Sequence, residues 1–163
     1  MYEHCSYCCN DINISCITFQ VNSGRPGNIT PLRYCAKHGF VRMAKLLRQD
    51  PKLDPNKGFS PLLTAIITNE RSIEMVKFLL SFPELKLNIR LNGLTELHHA
   101  ITWPEALKLL LNDERVDINA LDPAGRSVLD KLALANAHDL VKEMVANPRL
   151  QIELILQAID WLP

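Results

Sequence analysis

The sequence predicts an all-α fold of four stacked helix–turn–helix repeats, and three independent landmarks carry that expectation. A Ser or Thr opens each unit at Thr30, Ser60, Thr95 and Ser127, at intervals of 30, 35 and 32 residues. A lysine inside an apolar run recurs at Lys45, Lys77, Lys108 and Lys142, spaced 32, 31 and 34. The connecting segments "PKLDPN", "PELKLN", "ERVDIN" and "PRLQIE" also match one another. A period near 33 with this content is a solenoid signature. No such unit buries its apolar face alone, and stacking makes the core continuous.

The elements follow in chain order. Residues 1–27 form a cysteine-containing cap. Within it "DINISCITFQV" alternates as Ile12, Ile14 and Cys16, then Ile17, Phe19 and Val21, a strand-like pattern with a slip in phase. With Asn10-Asp11 as a turn, this predicts a small β-hairpin or an irregular cap on the first repeat. The repeats themselves span 28–57, 58–92, 93–124 and 125–153. In each, the Ser or Thr stands at a helix N-cap, where its oxygen accepts from an orphan backbone N–H, and Pro31 and Pro61 suit the first helical position. Leu32, Leu62, Leu97 and Leu129 follow two residues later, with Ala36, Ala65, Ala100 and Ala133 further along, so each first helix has one apolar face.

Gly39 allows a tight reversal between helices. The second helices repeat apolar residues at helical spacing, as Val41, Ala44 and Leu47 and then Ile73, Val76 and Leu79. Gly58, Gly93 and Gly125, each two residues before a cap, mark the turn into the next unit. Residues 154–163 place Ile155, Ala158, Ile159 and Leu162 at helical spacing, predicting a short capping helix that covers the last repeat.

Composition bounds the function classes. The 163 residues fit one domain. Eighteen basic residues balance eighteen acidic ones without a block of like charge, so neither a nucleic-acid nor a membrane partner is expected. No apolar run is long enough to span a bilayer. The start "MYEHCSYCCND" has neither the basic residues nor the apolar core of a secretory signal. All five cysteines (Cys5, Cys8, Cys9, Cys16 and Cys35) lie in the first 35 residues. An odd, one-sided set argues against a disulfide framework and for a reducing, cytoplasmic compartment.

The segments "TPL" at 30–32, "SPL" at 60–62, "GLTELHHA" at 93–100 and "ALDPAGRSVLDKLA" at 120–133 together resemble ankyrin repeats, over about 28–153. The resemblance implies helix pairs stacked side by side, with loops projecting as fingers, and a monomeric module that binds another protein without cofactor or catalysis. Departures are specific. Asn28 stands where the family has glycine, the first finger is clipped to Lys57 between Asn56 and Gly58, and "SVLDKL" replaces "TPLHxA" in the fourth unit. Repeat 2 has extra residues between its helices, "NERS", and repeat 3 is short there. In style the chain is similar to ankyrin proteins that intracellular bacteria deliver into host cells, which implies an effector acting on host proteins in their cytosol.

Carried over residue by residue, the family's binding positions fall on Lys57, Phe59, Arg90, Leu91, Leu94, Trp103 and Arg126, with Trp103 as an exposed aromatic anchor on the groove side of the third repeat. Aromatic residues and arginines dominate interface hot spots. His98 falls on the family's "TPLH" histidine, whose imidazole the resemblance expects to bond loop backbone. Arg33, Leu63 and Asp130 stand there in the other units, so no row of histidines exists. His99 points elsewhere on a short helix, so the two rings are not arranged to chelate one ion.

The competing class centres on the head. Cys5-x2-Cys8, beside His4 and Cys9, resembles half a zinc site, with Cys16 or the pair Cys35 and His38 as further donors. No second CxxC exists, and the expectation is therefore no metal and inert thiols. A Cys–His hydrolase is the enzymatic alternative, but no phosphate loop, HExxH or GxSxG marks a catalytic centre. The expected function is non-catalytic recognition of a protein.

Overall fold

Residues 21–23 and 29–159 are described by a computed structural model. The expected head hairpin, with His4 and Cys5, Cys8, Cys9 and Cys16, and the tail residue Leu162 lie outside the described residues. The described chain is all-α. Its helices are α1 (Pro31–His38), α2 (Val41–Leu47), α3 (Pro61–Ile67), α4 (Ile73–Leu80), α5 (Glu96–His99), α6 (Pro104–Asn112), α7 (Val128–Leu134), α8 (His138–Val145) and α9 (Ile152–Ile159). A 3₁₀ turn, Ala100–Thr102, extends α5. Among the described residues no strand forms, and isolated bridges join Leu91 to Leu94 and Leu121 to Ser127.

The helices begin where local chemistry dictates. Thr30, Ser60 and Ser127 accept the N–H of Arg33, Leu63 and Asp130, three residues on, and Pro31 and Pro61 occupy the first turn. Gly39 ends α1 in the left-handed region at φ +65°, and Pro104 opens α6 directly after Trp103. The helices pack in two ranks. The first helices α1, α3, α5, α7 and α9 lie in succession, with the 3₁₀ turn completing the α5–α7 contact, and the second helices α2, α4 and α6 do the same beside them. Between the ranks runs one core in which Leu32, Leu62, Leu79, Leu97, Leu107, Leu110, Leu129 and Leu132 are all but sealed from solvent. Each such side chain stabilises the fold by roughly 1.5–3 kcal/mol, which makes this burial the main driving force.

Burial alone does not fix how one helix pair sits on the next. That is done by asparagines in the connecting segments. Asn56 donates from Nδ2 to the Glu84 carbonyl at 2.8 Å and accepts at Oδ1 from the Lys86 N–H at 2.7 Å. Asn88 does the same to Arg115 (2.9 Å) and Asp117 (2.8 Å), and Asn119 to Arg149 and Gln151 (both 2.9 Å). Asn22 opens the series, bonding the Lys52 carbonyl and the Asp54 N–H. Each amide thus bridges residues k and k+2 of the next connecting segment, and the four asparagines stand 34, 32 and 31 residues apart.

Arginines reinforce the joint. Arg115 reaches back to the carbonyls of Leu80, Phe82 and Pro83, and Arg149 to those of Leu111, Glu114 and Val116. These carbonyls lie at and just beyond the C-terminal ends of α4 and α6, where a cation is also favoured by the helix dipole. Arg48 reaches forward instead, donating to the Ser81 hydroxyl and carbonyl at the end of α4, and lies over the Phe82 ring.

Candidate functional site

The candidate site is the set of segments that lead from each connecting segment into the next first helix: 57–59, 89–94 and 120–126. The second is a two-residue hairpin. Leu91 and Leu94 exchange both backbone bonds (2.9 and 3.0 Å) around Asn92 and Gly93, at φ +53° and +79°. Positive φ at both central residues is the primed turn that Asn-Gly favours. The third is a wider hairpin held from inside. The Asp122 carboxylate accepts the N–H groups of Ala124 (2.8 Å) and Arg126 (2.9 Å), and Gly125 at φ +76° closes the turn. The clipped first segment has only Lys57 and Gly58 before Phe59, whose ring lies under the Arg33 guanidinium at 4.8 Å.

The second and third segments are tied to one another. Arg90 Nη1 donates to the Gly93 carbonyl of its own hairpin at 2.7 Å and to the Leu121 carbonyl of the next at 2.8 Å. A Cβ on Gly93 would lie 2.2 Å from Pro123 Cγ, so the two hairpins touch where only glycine fits. Each is also tied to its helix. The buried Glu96 carboxylate in the first turn of α5 accepts the Ile89 N–H at 3.1 Å. Burial raises its pKa, against the backbone N–H groups that lower it. Lys131 of α7 pairs with Asp122 at 2.9 Å, and Arg126 pairs with it at 3.2 Å. The Asp122 carboxyl is held well below the usual carboxylate range, first by the Arg126 backbone and then by Lys131 and the Ala124 N–H.

His98 completes the entry to α5. Its Nδ1 accepts from the Thr95 N–H (3.4 Å) and lies 2.8 Å from the Thr95 hydroxyl, so the neutral ring carries its proton on Nε2. That Nε2 is buried, and no atom among the described residues meets it at full hydrogen-bond geometry, although the Arg126 backbone of the third segment favours its proton. The ring is half of a capping box, as Asp130 is with Ser127 at the start of α7. Burial and the Lys131 charge lower its pKa, opposed by the Arg126 backbone and Asp122.

The other expected positions divide. Lys57, Arg90 and Arg126 are exposed, while Phe59, Leu91 and Leu94 are half-buried, the two leucines facing each other across the hairpin. Gly58, Gly93 and Gly125 all have φ between +76° and +79°. Trp103 is a correction: it is 6 % exposed and belongs to the core. The reason is the missing turn between α5 and α6. With Pro104 starting the next helix at once, no exposed loop remains to carry the ring outward, and it fills the space inside. Cys35, the one described cysteine, is also sealed in the core, and burial pushes its thiol up to about 12, so it is neither anionic nor exposed. Pattern reading places Asn92 in the second finger but misses Asp122, which builds the third hairpin. The dipeptide Asp122-Pro123 was the available signal.

Among the described residues, no three His, Cys, Asp or Glu side chains converge as a metal-binding group, and no helix is long and apolar enough to cross a membrane. No protein-family model matches the chain, and no curated protein matches it in sequence.

Two outcomes follow from this geometry. Gly125→Ala meets open space and carries only the left-handed backbone cost, about 1–2 kcal/mol. Gly93→Ala adds the overlap with Pro123 and loses more in urea denaturation; equal losses would mean the hairpins do not touch. For His98, the unfolded chain takes up a proton near the ordinary value of 6.5, before the folded chain does. Its contribution is therefore full above that pH and is lost as the pH falls below it. The variant His98→Leu, which copies the buried Leu63 of α3, flattens the fall in urea midpoint below pH 6.5 relative to wild type. An unchanged slope would remove His98 as its source.

Proposed function

We propose that the chain is a non-catalytic protein-recognition module, an ankyrin-type solenoid of four repeats (28–57, 58–92, 93–124 and 125–153) between an N-terminal cap and a C-terminal capping helix. Its partner binds across the finger segments and the adjoining first helices. The observation that carries this reading is the fastening of consecutive fingers. Arg90 bonds backbone on two of them at once, and Gly93 seats Pro123 of the next. Fingers tied in this way lose little conformational freedom when a partner arrives, so contact area is converted into affinity rather than spent on ordering. The recurrence of cap, turn and amide bridge at a spacing near 32 residues supports the ankyrin assignment. The module acts as a monomer in a reducing cytoplasm, and in style it suits an effector working on host proteins.

The test uses the immobilised chain and a eukaryotic cell extract. Wild type is compared with Arg90→Ala plus Leu121→Ser on the fingers and with Lys108→Ala on α6, after thermal melting shows all three folded. The proposal expects bound proteins to be lost by the finger variant and kept by the α6 variant. Retention of every bound protein by the finger variant would place recognition elsewhere.

A further inference from the structure

The chain's formal charge is zero, but the charge is not evenly distributed over its elements. The finger segments and first helices, taken over 29–38, 57–67, 89–102 and 120–134, contain three acidic residues. All three are buried: Glu96 is 2 % exposed, Asp122 7 % and Asp130 0 %. The basic residues of the same segments reach solvent. Lys37, Lys57, Arg90 and Arg126 are exposed, and Arg33 and Lys131 are half-buried.

The second helices are different. Each of α4, α6 and α8 carries an acid in its first turn and a lysine three residues on, Glu74 with Lys77, Glu105 with Lys108, and Asp139 with Lys142. All six are exposed, and Lys108 also pairs with Glu143 of α8 at 2.8 Å. On α4, α6 and α8 exposed acids and bases occur together, while α2 carries the exposed Arg42 and Lys45 without an acid; on the finger and first-helix segments every exposed charged residue is basic. Exposed apolar residues lie among the cations of the basic side: Tyr34 on α1, Ile67 on α3, Leu121 on the third finger and Leu134 on α7.

Building on the recognition reading above, we infer that the finger and first-helix side takes an acidic segment of a partner protein, with several carboxylates and apolar side chains between them. The carboxylates pair with dispersed lysines and arginines, while apolar side chains cover Ile67, Leu121 and Leu134. The buried acids underneath are taken up internally: Asp122 pairs with Arg126 and Lys131, Glu96 accepts the Ile89 N–H, and Asp130 accepts the Ser127 N–H and hydroxyl. A nucleic acid fits less well. Single strands are held by stacking on several exposed aromatics along a continuous cationic groove. On these elements only Tyr34 is an exposed aromatic.

A random peptide display library panned on the whole chain tests this directly. The expected selection is enriched in Asp and Glu with apolar residues between them. The best peptide is then measured by fluorescence anisotropy. Binding weakens with added salt and falls about tenfold in Lys37→Glu plus Lys57→Glu, but not in Lys77→Glu plus Lys142→Glu. Enrichment of neutral or basic peptides that still lose binding in the finger variant of the previous section overturns the acidic class and leaves the recognition reading standing. Equal weakening by both charge reversals, or tighter binding of an oligonucleotide of matching charge, overturns the inference as well. A failure to enrich any peptide counts against the recognition reading itself.

Discussion

A primary amide has a donor and an acceptor side by side, and in this molecule that spacing matches a carbonyl at residue k and an N–H at k+2 of an extended segment. Asn22, Asn56, Asn88 and Asn119 each use it to hold the connecting segment that follows the next helix pair. The connecting segments have no strand partners, so without these bridges their polar backbone groups would depend on water alone. Each bridge contributes about 1–3 kcal/mol for two bonds, small beside the apolar core but specific in geometry. The core supplies the attraction and the amides set the offset between one pair and the next. Short local turns prepare the segments for this. Asp54 and Asp117 each accept the N–H of the asparagine two residues on, and Arg48, Arg115 and Arg149 close the joint against helix ends.

From that joint the rest follows outward. A fixed offset between pairs brings Gly93 against Pro123 and puts the Leu121 carbonyl within reach of Arg90. The fingers are then held by backbone bonds, by buried carboxylates beneath them and by glycine turns. Their acids are spent internally and their bases remain outside. The surface that results is ordered, apolar in places and of one charge, which is the physical content of the proposed recognition and of the kind of partner inferred for it.

Much of this was legible in the chain. The Ser and Thr caps, the prolines after them and the glycine turns are local chemistry, and local chemistry survives folding at Thr30, Ser60, Ser127 and Gly39. The matching connecting segments were visible as a pattern, yet the function of their asparagines was not, because each bond spans about 30 residues and no local rule requires it. Trp103 was misplaced for a related reason. A missing turn changes the direction of everything after it, and the ring moved from surface to core. The charge partition was hidden by the balanced total. Asp122, Asp130 and Glu96 count as surface charge in a sequence, and only burial shows that they are not.

Amide hydrogen exchange tests the bridging amides most directly. The N–H groups of Lys86, Asp117 and Gln151 lie on exposed residues outside any helix, and each donates to an asparagine Oδ1. If the asparagines hold the connecting segments, these three amides exchange slowly, in step with the helix interiors on either side. Exchange at the rate of an open loop would mean that the core alone aligns the helix pairs, and the account would fail.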